Sequence, residues 1–129
     1  MGVTHALAGA AVAAMVAPRQ RTAAVILGAV SGLVADIDEP NSILGSKIPA
    51  ISTTMNLIFG HRGLTHTVIF ALIIACLGWG LGPLIGLTRR RFAFLTFLGV
   101  LSHVALDSLT PMGTQALWPL PARLAGPIR

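Results

Sequence analysis

A chain of 129 residues that is 54% hydrophobic and 10% charged, with a mean hydropathy of +0.81, does not fit an ordinary soluble domain. Such domains carry about a quarter charged residues, and at this size they leave too much surface in water to hide so many apolar side chains. Nine Lys and Arg against four Asp and Glu give a net charge of +5, but the basic residues cluster between apolar runs instead of forming an aromatic-interleaved patch, which points to a lipid bilayer as partner and away from nucleic acid.

The first apolar run, residues 3–17, has the character of a signal peptide but lacks a basic lead-in. Pro18 directly after Ala17 is a poor cleavage context, so the run is expected to be a retained helix. The second run, residues 22–37, is also short: sixteen helical residues cover about 24 Å. Both are expected to thin the bilayer locally or to pack beside longer helices. Small residues four apart, at Gly9/Ala13, Ala10/Ala14 and Gly28/Gly32, favour close helix approach.

Residues 38–63 form a long connection with polar ends. Ile48, Ile51, Met55, Leu57 and Ile58 suggest a short amphipathic or re-entrant piece within it, and Pro49 limits where that helix begins. The third and fourth runs, residues 64–87 and 92–109, approach or exceed the roughly 20 residues needed to span a bilayer. Gly78, Gly80, Gly82 and Pro83 are expected to bend the third, and Cys76 within it reads as a small buried hydrophobe. As the single cysteine, Cys76 also excludes an intrachain disulfide and a thiolate metal site. The tail from Pro111 holds Pro119, Pro121 and Pro127 as well, too many for another span, and Trp118 suits an interfacial anchor.

The expected fold is therefore all-α: one domain over residues 1–129, an integral membrane bundle of about four helices with a re-entrant or amphipathic segment between the second and third. Arg19 and Arg21 lie between the first two runs, and Arg89, Arg90 and Arg91 between the last two. In an up-down-up-down bundle these loops share one end, which the positive-inside rule makes cytoplasmic.

The rare polar residues fall at the other end. His5 begins the first helix, Asp36 and Asp38 end the second, His61 and His66 bracket the start of the third, and His103 and Asp107 lie towards the end of the fourth. Singly, each has an ordinary explanation: an interfacial histidine, helix-capping aspartates before Pro40, a polar turn, and a side-chain pair at i, i+4. Ionisable groups inside an apolar span are nevertheless costly and tend to be functional. Seven imidazole and carboxylate donors converging at one end suit a divalent metal (zinc, with manganese or iron as alternatives), held as one ion or as two sharing a carboxylate. Spacing does not tell which donors bind the metal directly.

The motifs His5, Asp36-Ile37-Asp38-Glu39-Pro40-Asn41-Ser42, His61-Arg62-Gly63-Leu64-Thr65-His66 and His103-Val104-Ala105-Leu106-Asp107, with Thr110 and Gly113, resemble the YdjM-like family. Its members are bacterial and archaeal inner-membrane proteins described as metal-dependent hydrolases. The resemblance covers nearly the whole chain, with two departures: Ala35 where a proline is expected and Thr67 where a serine often follows the second histidine. Neither removes a donor. The family is also thought to be distantly similar to the zinc phospholipase C and P1 nuclease group, in which the mature amino terminus is a ligand; His5 is internal, so that detail does not carry over.

The resemblance implies a multi-pass protein of the inner (cytoplasmic) membrane; the arginine loops put its site on the extracytoplasmic side. It further implies metal-dependent hydrolysis of an amphiphilic phosphoester, a metal activating water and polarising a phosphoryl or acyl oxygen. Either Asp38 or Asp107 is then the general base, and Arg62 either clamps a phosphate or steadies a turn near the headgroups. Two rivals remain: a divalent-metal transporter and a metal-binding membrane protein without hydrolase activity. A transporter needs polar groups through both halves of the span, whereas the arginine-flanked halves hold little beyond Thr22, Ser31 and Thr96.

Overall fold

The computed structural model describes residues 2–60 and 62–128. Among them every regular element is helical: α1 (Gly2–Val16), α2 (Arg21–Val34), α3 (Pro49–Phe59), α4 (Val68–Leu77) and α5 (Arg89–Ser108), joined by 3-10 turns. Pro18 opens one such turn before α2, and another (Ala35–Asp38) closes it, so the chain stays helical from Pro18 to Asp38, 21 residues. The second run is thus longer than its apolar stretch suggests. With the 20-residue α5 it is one of two helical stretches, among the described residues, long and apolar enough to cross a membrane.

The third run is not one long helix. Thr67 takes an extended backbone and caps α4, its hydroxyl accepting from the Phe70 N–H at 3.0 Å while donating to the Leu64 carbonyl at 2.7 Å. That sets residues 64–66 apart as a separate 3-10 turn. At the other end Gly78 terminates α4, and Pro83, which has no N–H to give, sits in a further 3-10 turn (Gly82–Ile85). The ten residues of α4 rise about 15 Å, half the hydrocarbon thickness. The glycines and proline end this helix instead of bending it.

Helix α2 packs against both α1 and α5, and α4 packs against α5. The α1–α2 contact is made by backbone: a methyl group at Gly9 would lie 2.1 Å from the Gly28 carbonyl oxygen, and one at Gly28 would lie 2.6 Å from the Ala13 Cβ. This is the use of small residues expected from their spacing. Gly9→Leu should therefore force the helices apart, lowering stability by about 1–3 kcal/mol or more, as overpacking does. Thermal unfolding in detergent checks this against Gly80→Ala, where a methyl meets nothing within 4 Å; equal melting of the two variants would contradict the packing account.

The outer surface is apolar. Leu7 and Met15 on α1, Ile26 and Val30 on α2, Leu72 and Leu77 on α4 and Phe94 on α5 all point outward, an arrangement that lipid tolerates and water does not. Cys76, expected to be buried, is exposed on the same apolar side of α4, because α4 has neighbours on one side only. In α3 the pattern is inverted. Ser52 is buried and Asn56 donates to the Asp38 carbonyl oxygen, while Ile51, Ile58, Phe59 and Leu57 (81% exposed) face out. The basic loops do meet: Arg91 Nη1 donates to Gln20 Oε1 at 2.6 Å. Residues 109–128 form no helix but fold back on the end of α5, through a Thr114–Leu124 bridge and bonds from the Gly126 and Ile128 N–H groups to the Thr110 and Leu109 carbonyls.

Candidate metal centre

The helix ends bring most of the expected donors together. His5 is buried on α1 in one stripe with Gly9 and Ala13, and its ring stacks on that of His103 with centroids 3.7 Å apart. His103 on α5 directs Nδ1 at the Gly32 carbonyl oxygen, 2.7 Å away. A carbonyl only accepts, so Nδ1 carries the proton and the Nε2 lone pair is aimed inward. His66 is fixed by the Thr65 hydroxyl at its Nδ1, 3.0 Å away, which also turns Nε2 to the centre.

Four atoms then face one another. His66 Nε2 and His103 Nε2 are 3.1 Å apart. Asp107 Oδ2 lies 3.1 Å from the first and 3.4 Å from the second. Asp36 Oδ1 lies 3.4 Å from His103 Nε2 and 4.0 Å from His66 Nε2. Bonds of 2.0–2.1 Å directed to the corners of a tetrahedron would put ligand atoms about 3.3 Å apart, close to the 3.1–3.4 Å spacings here and shorter than the 4.0 Å between Asp36 and His66. His5 Nε2 stands behind, 3.4 Å from Asp107 Oδ1, so that His5, His103 and Asp107 form one possible ligand group and Asp36, His66 and His103 another, sharing His103. The charge balance agrees. Asp36 and Asp107 at the frame, Asp38 behind it and Glu39 in the adjoining cavity wall face one arginine, Arg62, a negative balance that a bound cation would offset.

Of two further expected residues, Asp38 stands apart from the frame and Arg62 borders it. Asp38, though fully buried, lies to the rear of His66: its Oδ2 accepts the Arg62 backbone N–H at 3.0 Å and is 3.9 Å from His66 Nδ1, the nitrogen that faces away from the centre. Arg62 spends its guanidinium within the protein, with Nη2 donating to Asp107 Oδ1 at 3.1 Å and Nη1 to Thr110 Oγ1 at 2.8 Å. Its φ of +59° is uncommon for a side-chain-bearing residue, and the bond to Asp38 offsets that cost. His61 lies outside the described residues.

Beside the four-atom frame opens a cavity of about 420 Å³, walled by His5, Asp36, Glu39, Asn41, Arg62 and Asp107 together with Ser42 and Ile43. The loop after Asp38 folds over it because the Ser42 hydroxyl donates to the Asp36 carbonyl and accepts the Gly45 N–H, both at 2.8 Å. Residue types alone did not reveal Glu39 as a wall, nor Gly32 and Thr65 as the groups that orient the imidazoles. The turn-forming run Glu39-Pro40-Asn41-Ser42 was the available signal for the first; the other two act through a carbonyl and a hydroxyl and leave no pattern.

Comparison with known proteins bears on this geometry. A family model described as YdjM inner membrane protein matches residues 1–128. The chain belongs to the YdjM inner membrane protein family. Within that family, it is 39% identical over 103 residues to the inner membrane protein YdjM of Escherichia coli K12, covering 74% of this chain and 49% of that protein. It is 32% identical over 101 residues to the uncharacterized protein YvsG of Bacillus subtilis 168 (78% and 60%), and 40% identical over 70 residues to the inner membrane protein YbcI of Escherichia coli K12 (48% and 38%). This YdjM-family chain thus spans about half the length of the curated relatives it matches first. No solved structure matches it.

Proposed function

We propose that this chain is a multi-pass, metal-dependent hydrolase of the inner membrane that cleaves a phosphoester of a lipid or another membrane-associated substrate. The observation that carries the reading is the frame of His66, His103, Asp107 and Asp36 atoms at metal-ligand spacing beside a polar cavity. When bound, a divalent ion (zinc on the chemistry of these donors, manganese or iron as the alternatives) supplies Lewis acidity towards water and a phosphoryl oxygen. His5, with His103 and Asp107, would offer donors to a second ion. Arg62 holds Asp107 in place and lends positive charge to the cavity wall, where a phosphate would lie.

Of the carboxylates considered as proton acceptor, Asp107 reaches the cavity and Asp38 does not. Asp107 is engaged on both oxygens, however, whereas Asp36 keeps 14% of its side chain exposed at the cavity wall and is the better placed of the three. The two arginine loops, joined through Arg91 and Gln20, favour an extracytoplasmic site.

The test is turnover of a panel of phosphoester lipids by the protein in nanodiscs. Chelator should abolish hydrolysis, zinc or manganese should restore it, and Asp36→Asn should lower kcat by about 100-fold or more, the usual contribution of a general base. In sealed vesicles product should form without metal crossing the membrane. Metal flux without turnover of any phosphoester would favour the transporter.

A further inference from the structure

A second, smaller cavity of about 180 Å³ adjoins the first. Its walls are Thr4 on α1, Leu106, Leu109 and Thr110 at the end of α5, and Ile128 of the tail, and it shares His5 and Asp107 with the polar cavity. The tail makes its far side, pinned there by the bond from the Ile128 N–H to the Leu109 carbonyl, 3.0 Å. The two cavities differ in balance: Asp36, Glu39, Asn41, Ser42 and Arg62 line the larger beside Val3 and Ile43, whereas Leu106, Leu109 and Ile128 line the smaller beside Thr4 and Thr110. They meet at two of the side chains that form the candidate metal centre.

The small cavity also runs into the outer apolar surface. Val3 and Leu7 flank Thr4 on α1 and are about two-thirds exposed, and Leu109, Met112 and Ile128 are exposed beside its other wall. A hydrocarbon chain lying along that apolar surface can therefore enter it with little exposure to water, which lowers the transfer cost of leaving a lipid phase.

We infer that the two cavities seat the two ends of one amphiphile: an alkyl chain in the cavity of Leu106, Leu109 and Ile128, a polar group in the cavity of Glu39, Asn41 and Arg62, and the phosphoryl group between them at His5 and Asp107. The cleavage of that group rests on the function proposed above; the binding does not. The arrangement fixes direction, chain towards the tail and polar group towards the 39–42 loop. Recognition of chain length belongs to α5 and the tail.

The test uses the full chain in nanodiscs, loaded with zinc, and two non-hydrolysable ligands, decylphosphonate and methylphosphonate. Partition of decylphosphonate into the bilayer is the same for every variant and cancels in the comparison. Both phosphonates should bind the wild type. Leu106→Trp and Ile128→Trp, which fill the small cavity, should each weaken decylphosphonate by about tenfold, the effect of removing a few methylenes from contact, while leaving methylphosphonate and zinc content unchanged. Ile128 is exposed, so its variant stands if Leu106→Trp does not fold. Equal loss for both phosphonates, no loss for either, or failure of both to bind the wild type would overturn the inference. The expected binding pattern without turnover of any phosphoester would leave it intact and remove the hydrolase reading instead.

Discussion

Protein carrying His66→Ala together with His103→Ala should retain less than about a tenth of the wild-type metal, since loss even of groups that merely support ligands costs 10–100-fold in affinity. Plasma mass spectrometry on protein purified without chelator reads this directly. The two Nε2 atoms stand 3.1 Å apart with Asp107 Oδ2 within 3.4 Å of both, and His103 belongs to both candidate ligand groups. Removing the pair therefore leaves no group intact. Cys76→Ser, at an exposed position on α4, should leave metal content unchanged. Stoichiometric metal in the double variant would remove the centre from consideration.

The second large effect is on stability. Asp107 and Arg62 are both buried and joined at 3.1 Å, so Asp107→Leu leaves a guanidinium without its carboxylate. Breaking a buried pair in this way costs about 3–5 kcal/mol, whereas replacing both partners by apolar groups is often nearly neutral. In metal-free protein Asp107→Leu should melt well below the wild type, and Asp107→Leu with Arg62→Met should recover more than half of the loss. Additive losses in the double variant would show that the pair does not act as a unit. The outcome matters for function, because Arg62 was open at the level of sequence to two roles, and its bonds to Asp107 and Thr110 favour holding the ligand over seizing substrate alone.

Much of this was legible in the residues, and the exceptions have physical causes. The convergence of His5, Asp36, His66, His103 and Asp107 follows from parity: the ends of antiparallel helices alternate, and residues at the start of one and the end of the next share a side. Asp38 broke that pattern. It shares a 3-10 turn with Asp36, and at three residues per turn two residues separated by one point to widely different sides, so only Asp36 reaches the frame. The switch from α to 3-10 winding at Ala35 carries no signature in residue type. Helix lengths failed for a related reason. Apolar stretches measure where lipid is tolerated, while Thr67, Gly78 and Pro83 decide where hydrogen bonding stops. Cys76 and the outward face of α3 could be read only once it was clear which sides of the helices have neighbours.

Gly32 has a consequence for which ions such a centre accepts. Its bare Cα lets the α1 backbone come so near that a methyl there would lie 2.4 Å from the His5 carbonyl oxygen, and its own carbonyl holds the His103 ring. One point of α2 thus lies against the His5 backbone of α1 and orients the His103 ring of α5. If an ion were held by His5, His103 and Asp107, one wanting longer bonds, such as calcium at 2.3–2.6 Å against about 2.0–2.1 Å for zinc, would press on the close α1–α2 packing at Gly32. At such a group, discrimination by ionic radius would draw on the stiffness of a helix pair as well as on the donors.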